Sequence, residues 1–240
     1  MTQKNQATVY LIPTVLSHDE KALDTIPVYI VEAIKKCQIF FTEQEKTARR
    51  FFKKLWKEMT IDEYTWYAVH HLDDRVRAAF TQHILNGETI GIISEAGCPG
   101  IADPGQELLV IAHAHTAKII PLVGPSSILL ALMASGLNGQ NFRFNGYLPI
   151  ESTLRKRKIK ELEKVSNKEN STQILIETPY RNNALLADIL STCESETFLC
   201  IGVDLTGEKE MIQTKKIKDW KKSHLILEKI PAIFLILKPS

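Results

Sequence analysis

Apolar and polar positions alternate between two periods along this chain, and the alternation predicts strands that take turns with helices. Short apolar runs at 8–12, 38–41, 64–69, 90–93 and 118–123 have the length and residue types of buried strands. Between them, 45–59 and 75–85 carry apolar residues at helical spacing, with charged residues on the opposite face. This order is typical of a mostly parallel sheet in an N-terminal α/β domain.

A helix is also expected to open at Ile26-Pro27 and to bury Val28, Val31 and Ile34 on one face. Beyond Leu137 the pattern changes, because the apolar runs at 142–147, 172–176, 198–203, 209–214 and 230–237 do not alternate regularly with helices. We therefore predict a mixed C-terminal sheet. The chain is interpreted as two α/β domains, residues 1–121 and 122–240.

The run at 90–93 leads into a loop rich in glycine and proline, and a helix follows it. Gly97 and Gly100 remove side chains that would keep a ligand from the backbone, while Asp103 is a suitable helix N-cap and Pro104 a suitable first helical residue. A second strand, turn and helix start recurs at 118–133 around Gly124-Pro125-Ser126-Ser127. In an open α/β sheet such loops lie at the carboxyl ends of the strands, where ligands bind.

Composition narrows the class of protein. The 240 residues are 44% hydrophobic and 24% charged with a net charge of +2, which is ordinary for a globular protein. No apolar run is long enough to span a bilayer and the first residues are polar, so we expect a cytoplasmic protein without membrane association. The four cysteines form no Cys-x-x-Cys pair and have no histidine at ligand spacing, so neither a disulfide nor a metal is expected.

Five segments occur in the order of a known set of motifs. They are Ser94 to Gly105 (SEAGCPGIADPG), 124–127 (GPSS), 131–137 (ALMASGL), 145–149 (NGYLP) and 177–181 (ETPYR). In this order they resemble the motifs of the S-adenosylmethionine-dependent tetrapyrrole methylase superfamily, in particular its ribosomal RNA ribose methyltransferase branch. The resemblance covers most of the chain.

The resemblance implies a two-domain fold with a ligand cleft between the domains, a homodimer, and S-adenosylmethionine as the methyl donor. Carried over by position, the donor contacts are expected in the first loop, the second loop and the strand ends of the second domain. These residues are Ser94, Glu95, Ala96, Gly97, Cys98, Ile101, Ala102, Ser126, Ser127, Glu177, Val203 and Ala232. Backbone groups, apolar walls and hydroxyls suit a neutral adenosine and a zwitterionic tail.

The chain departs from that branch in several segments, at 13–18, 43–46, 71–73 and Val203, which lie around the acceptor side in relatives. Three hypotheses of function follow. The first is methylation of ribosomal RNA, on a ribose hydroxyl. The others are methylation of a small molecule such as a tetrapyrrole precursor, and donor binding without catalysis.

Single residues keep competing interpretations. Glu43 is the candidate catalytic residue, which removes or orients an acceptor proton, and the alternative is an acid at a helix N-terminus. Cys98 has no activating neighbour in sequence and is interpreted as a small residue of the donor pocket rather than a nucleophile. His70 and His71 are either a general base or phosphate ligand, or plain loop residues.

The basic runs 46–57 and 155–168 either bind RNA phosphates or are solvated helix faces. The candidate RNA contacts are Arg155, Lys156, Arg157 and Lys158, at the start of a helix predicted from about residue 152. Arg181 is a further candidate, and the alternative is that it holds Glu177.

Overall fold

A computed structural model describes residues 6–69, 72–227 and 229–239. The chain divides into two compact units, Met1–Ser126 and Ser127–Ser240, which we call the first and the second unit.

The first unit is built on a parallel sheet of five strands in the order β3-β2-β4-β1-β5. Its strands are β1 (Thr8–Ile12), β2 (Ile39–Thr42), β3 (Thr65–Ala68), β4 (Thr89–Ile93) and β5 (Lys118–Pro121). In the β1-β4 and β1-β5 pairs the strands end at matching positions, with Ile12 opposite Ile93 and Leu11 opposite Pro121. The carboxyl ends of β4, β1 and β5 therefore lie side by side, as the strand pattern predicts.

Helices pack against both faces of this sheet, with an apolar core at each face. They are α1 (Ile30–Ile34), α2 (Glu45–Leu55), α3 (Asp74–Leu85) and α4 (Gly105–Ala114), together with 3-10 turns at Glu20–Thr25 and Ile61–Glu63. Phe40, Phe51 and Phe52 lie in one core, and Phe41 and Phe80 lie in the other. The alternation of β2 side chains explains this division, because Phe40 and Phe41 point to opposite faces of the sheet.

The expected helix from Ile26 is wrong in its start and in its buried face. The amide of Ile30 donates to the carbonyl of Pro27 in a turn, and α1 begins only at Ile30. Val28 lies in that turn and is 89% exposed, whereas Ile30 and Ile34 are buried. Val28 precedes the first helical turn, so its side chain does not follow the helical spacing that would bury it on the same face as Ile34.

The second unit is a mixed sheet in the order β6-β7-β10-β8-β9. Its strands are β6 (Phe142–Phe144), β7 (Thr172–Glu177), β8 (Phe198–Val203), β9 (Met211–Lys216) and β10 (Ala232–Leu237). β6 runs parallel to β7, and the β7-β10, β10-β8 and β8-β9 pairs are antiparallel. This confirms the prediction of mixed strand directions.

Helices α5 (Ser127–Ser135), α6 (Ser152–Glu169), α7 (Asn182–Thr192) and α8 (Ile217–Ser223) complete the second unit, with a 3-10 turn at Pro179–Arg181. Its core contains Leu162 of α6, Leu185 of α7, Trp220 of α8 and Phe234 of β10. Across the described ranges, no helix combines the length and the apolar character needed to cross a membrane.

Candidate functional site

Three loops of the first unit meet at the carboxyl ends of β1, β4 and β5. The amide of Thr14, just after β1, donates to the carbonyl of Gly97 at 2.9 Å, and its hydroxyl donates to the carbonyl of Ser94 at 3.4 Å. From the other side, the thiol of Cys98 lies 3.5 Å from the carbonyl oxygen of Pro125. The two glycine- and proline-rich loops are thus joined to each other and to the loop after β1.

The loops approach so closely that side chains are excluded at two glycines. Gly97 has a φ of +75°, and a Cβ there would lie 3.2 Å from both Leu16 Cδ2 and the carbonyl oxygen of Pro125. A Cβ on Gly124 would overlap the ring of Pro13. Gly97 therefore needs glycine for its left-handed conformation as well as for the close contact, and Gly124 needs it for the close contact.

Asp103 fixes the far end of the loop after β4. Its carboxylate accepts hydrogen bonds from the amides of Gly105, at 2.7 Å, and Gly100, at 2.9 Å. Helix α4 begins at Gly105, one residue later than the predicted start at Pro104. Burial raises the pKa of Asp103, and the two amides oppose that rise because they stabilise the charged form.

In the middle of this loop, three backbone amides are unpaired among the described residues. The amides of Ala96, Gly97 and Cys98 have no hydrogen-bond partner in the part of the chain that the structure describes. Ile101 is 52% exposed, and Ala102 has a φ of +61°, a left-handed conformation that is unusual outside glycine. Unpaired amides near an exposed apolar side chain suit a polar ligand with an apolar face.

Ser94 and Cys98 differ from the exposed residues of this loop, because Ser94 is buried and Cys98 is half-buried. The Ser94 hydroxyl is turned inward and donates to the carbonyl of Gly97 at 3.2 Å, so it supports the loop. The Cys98 side chain is half-buried, and burial raises the pKa of its thiol. Because the neutral thiol is a poor nucleophile, the structure favours the interpretation of Cys98 as a small pocket residue.

Glu43 follows β2 and reaches the same loop. Its amide donates to the carbonyl of Ile93 at 3.3 Å, and its carboxylate Oε2 accepts from the amide of Glu95 at 3.1 Å. The residue that precedes helix α2 is Gln44. Glu43 therefore contacts the candidate donor loop through one carboxylate oxygen.

The second loop ends at two serines, Ser126 and Ser127, and α5 begins at Ser127. Both residues are half-buried. Among the residues described, neither hydroxyl has a hydrogen-bond partner.

Three of the candidate donor residues of the second unit lie in one row across its sheet. Ala232, at the start of β10, is opposite Glu177 on one side and Val203 on the other. All three are buried. The sequence places them far apart, and the antiparallel register brings them together.

The Glu177 side chain is only half satisfied. Its Oε1 accepts from the amide of Thr178 at 2.7 Å and from the Arg181 guanidinium, whose NH2 lies 2.5 Å away. Its Oε2 is buried and has no partner within the described ranges. Of the two interpretations of Arg181, the structure supports the one in which it holds Glu177, so the prediction of Arg181 as a phosphate contact is not supported.

The prediction that Arg155 contacts RNA is wrong. Arg155 is 5% exposed, its Nη2 lies 2.5 Å from Asp188 Oδ2, and its Nη1 donates to the carbonyl of Ile150 at 2.6 Å. A guanidinium that is buried and hydrogen-bonded in this way cannot also reach a phosphate. Lys156, Arg157 and Lys158 do lie at the surface, where the last two form loose ion pairs with Glu161.

Two other features complete the comparison with the sequence predictions. His70 and His71 lie outside the described residues, so their interpretations stay open. No group of three or more histidine, cysteine, aspartate or glutamate side chains in the described ranges is arranged to hold a metal ion.

Sequence reasoning missed a cavity of about 370 Å³ in the first unit, lined by residues from the loop after β1 and from α2. Ser17, His18, Arg50 and Lys54 are among them. The signal present in the sequence is the spacing of Arg50 and Lys54, which places both cations on one side of α2.

Known proteins resemble this chain in sequence. Residues 22–220 match the family model described as Tetrapyrrole (Corrin/Porphyrin) Methylases. A protein of Vibrio cholerae serotype O1 named ribosomal RNA small subunit methyltransferase I is 30% identical over 209 residues, which cover 85% of this chain and 67% of that protein. A protein of the same name from Synechocystis is 34% identical over 141 residues, which cover 57% of this chain and 49% of that protein. The matches thus span about half to two thirds of the relatives' own lengths.

Solved structures agree on the fold. The methyltransferase CobJ has a TM-score of 0.61 at 14% identity, with 98% of this chain and 94% of that chain covered. Uroporphyrin-III-C-methyltransferase from Thermus thermophilus has a TM-score of 0.56 at 14% identity, with 97% and 93% covered. The fold and the family predicted from the five motifs are both confirmed, and this chain belongs to the tetrapyrrole (corrin/porphyrin) methylase family.

Proposed function

We propose that this protein transfers a methyl group from S-adenosylmethionine to small-subunit ribosomal RNA, at a ribose 2′ oxygen. The observation that carries the proposal is the pair of motif loops joined to each other, in which the amides of Ala96, Gly97 and Cys98 have no hydrogen-bond partner among the described residues. Membership of a methylase family supports methyl transfer, and the names of the curated relatives support ribosomal RNA as the acceptor.

The residues present fit the proposed donor. In the first unit, the unpaired amides and the Ser126 hydroxyl offer hydrogen bonds, and the exposed Ile101 offers an apolar wall. Glu95, Ala96 and Ala102 are exposed on the same loop, and Ser94 holds it from inside. Ser127, Glu177, Val203 and Ala232 are the proposed contacts from the second unit, and the unpartnered Oε2 of Glu177 is an acceptor for a donor hydroxyl or ammonium.

When bound, S-adenosylmethionine supplies an electrophilic methyl group on a sulfonium. Glu43 is the proposed acceptor of the ribose hydroxyl proton, because its carboxylate is fixed on the candidate donor loop through one oxygen only. Rigid loops contribute by holding the two reactants in line, which is the main requirement of such a displacement.

The acceptor side and the assembly are also part of the proposal. Lys156, Arg157 and Lys158 are the proposed phosphate contacts of α6, without Arg155. We further propose a homodimer that acts in the cytoplasm, where ribosomal RNA is modified.

The test is methyl transfer with purified components. The protein, S-adenosylmethionine labelled in the methyl group, and unmodified small-subunit RNA are incubated, and the RNA is digested to nucleosides. The expected product is a labelled 2′-O-methyl nucleoside. Label on a base instead would contradict the proposed atom, and label in no RNA while tetrapyrroles are methylated would contradict the proposed acceptor.

A further inference from the structure

The cavity of about 370 Å³ in the first unit is large enough for a ligand the size of a nucleotide. Cavities that hold small ligands typically measure about 300–1,000 Å³. Its walls come from the segment after β1, from the 3-10 turn at Glu20–Thr25 and from α2.

The rim of the cavity is positively charged. Arg50 and Lys54 are one helical turn apart on α2, both exposed, and neither has an acidic partner in the described part of the chain. His18, from the segment after β1, is also exposed and lines the cavity. The acid that lines the cavity, Asp19, accepts a hydrogen bond from Ser17 Oγ at 3.1 Å. With two cations against one acid, the cavity attracts an anionic group.

Another part of the lining is apolar. Val15, Leu23 and Phe51 contribute to it, and all three also belong to or pack against a core cluster of the first unit. Thr47 adds a hydroxyl, which donates to Gln44 Oε1 at 2.6 Å. An apolar surface next to a cationic rim suits a ligand with a flat ring at one end and a phosphate at the other.

The cavity and the candidate donor loop share one chain segment. Thr14 hydrogen bonds to Gly97, and Leu16 packs against it, while Val15 and Ser17 line the cavity. Residues 14 and 16 therefore contact the candidate donor loop, and residues 15 and 17 line the cavity. A strand of RNA with one nucleotide in the cavity would lie within reach of the loop that we assign to the methyl donor.

We propose that this cavity binds one nucleotide of single-stranded RNA, with the phosphate at Arg50 and Lys54 and the base against Val15, Leu23 and Phe51. The choice of RNA as the ligand of this cavity rests on the proposed function. Sequence-dependent recognition of RNA takes place mostly in unpaired regions, where a base can leave the stack and enter such a cavity.

The first test measures how the binding of a fluorescently labelled 12-nucleotide single-stranded RNA depends on salt. Arg50→Ala/Lys54→Ala removes the two cations that share one phosphate, so the slope of log K against log salt should fall by about 0.7, one phosphate times the single-strand coefficient of roughly 0.7. The control is Lys36→Ala/Lys118→Ala, which removes two exposed lysines from the amino-terminal edge of the same sheet. Equal slopes in the two variants would overturn the proposal.

The second test locates the ligand and separates RNA from a free nucleotide. In the 15N-labelled protein, the same RNA should shift the amide signals of Val15, Ser17 and Phe51, and adenosine 5′-monophosphate should do so only at much higher concentration. Shifts confined to other residues would contradict the cavity as the site. A monophosphate that binds there as tightly as the RNA would replace RNA by a free nucleotide as the ligand.

Affinity for S-adenosylhomocysteine, the demethylated product, is measured on the same variants. It should be unchanged in Arg50→Ala/Lys54→Ala, because neither residue belongs to the donor loops. If the parent binds no S-adenosylhomocysteine but the RNA slope still falls, the methyltransferase proposal fails and the cavity proposal stands. If S-adenosylhomocysteine binds and the RNA slope is unchanged, the cavity proposal alone fails.

Discussion

At the scale of single residues, Glu43 connects the candidate chemistry to the structure most closely. It is the proposed proton acceptor and also the hydrogen-bond partner of the Glu95 amide. Glu43→Gln separates these roles, because glutamine keeps an oxygen that accepts from the amide but cannot take up a proton at neutral pH. We expect kcat for methyl transfer to fall about 100-fold or more, with S-adenosylhomocysteine affinity unchanged.

The control for this variant is Glu58→Gln, which removes one carboxylate from an exposed position of the same unit. It should leave both quantities unchanged. If Glu43→Gln retains the parent's kcat, Glu43 only holds the loop, and the proton leaves by another route.

The sequence could identify the charged residues of the site but not their partners. Arg155 and Lys156 are adjacent and equally basic in the sequence, yet the guanidinium of Arg155 is buried against Asp188 of α7 while Lys156 stays at the surface. Helix α7 lies more than twenty residues further along the chain, so no local pattern reports the pairing. Arg181 is the exception, because Glu177 lies four residues before it and is one of its two interpretations from the sequence; their contact at 2.5 Å decides between the two.

At the scale of elements, the loop after β4 depends on Gly97. Alanine in the left-handed region costs about 1–2 kcal/mol, and its Cβ would also press on Leu16 and Pro125. We expect Gly97→Ala to weaken S-adenosylhomocysteine binding tenfold or more, as measured by titration calorimetry. The cause would be strain within the loops themselves.

Gly139→Ala is the matched control, since a Cβ there meets nothing within 4 Å. It should bind S-adenosylhomocysteine like the parent. If Gly97→Ala also binds like the parent, the loop tolerates the strain and its geometry does not determine donor affinity.

The start of helix α6 allows structure and RNA contact to be separated. Arg155→Met breaks a buried ion pair and leaves Asp188 with only the exposed Lys156, at 3.5 Å, and the Ser152 hydroxyl as partners, so we expect a loss of folding free energy of up to about 3–5 kcal/mol. We expect a lower midpoint of urea unfolding and an unchanged salt slope for RNA binding. Lys156→Ala/Arg157→Ala/Lys158→Ala should do the reverse, with a slope reduced by about 2, three times roughly 0.7.

The opposite pattern would refute this division of α6. If Arg155→Met reduces the slope by itself, the guanidinium reaches RNA despite its burial. If the triple variant leaves the slope unchanged, the three exposed cations are merely solvated.

The sequence predicts the strands, which are continuous apolar runs, better than the short helical turns, which depend on a period. The five strands of the first sheet follow from apolar runs between helical segments, and β8 has the predicted bounds. Helix α8 and the 3-10 turn at Glu20–Thr25 were not predicted, because about two turns or fewer do not establish a period. The start of α1 was wrong for a related reason, since its five residues give the pattern little to fix a boundary.

At the scale of the whole molecule, the order of motifs predicts the family and the fold, but it predicts only part of the arrangement of the site. Proline and glycine at 13, 97 and 124 signal tight loops in the sequence, but their mutual contacts depend on β4, β1 and β5 being neighbours in one sheet. The cavity is harder still to predict. Its lining combines a loop, a short turn and a helix whose separation in sequence gives no common period.

The central claim is that the protein methylates a ribose of small-subunit ribosomal RNA. The most direct measurement is mass spectrometry of nucleosides and RNA fragments from small subunits of cells with the gene, without it, and complemented with Glu43→Gln. We predict one 2′-O-methylated nucleotide that disappears without the gene, returns with the parent protein and stays absent with the variant. Small-subunit RNA whose ribose methylation is identical in all of these cells would contradict the claim.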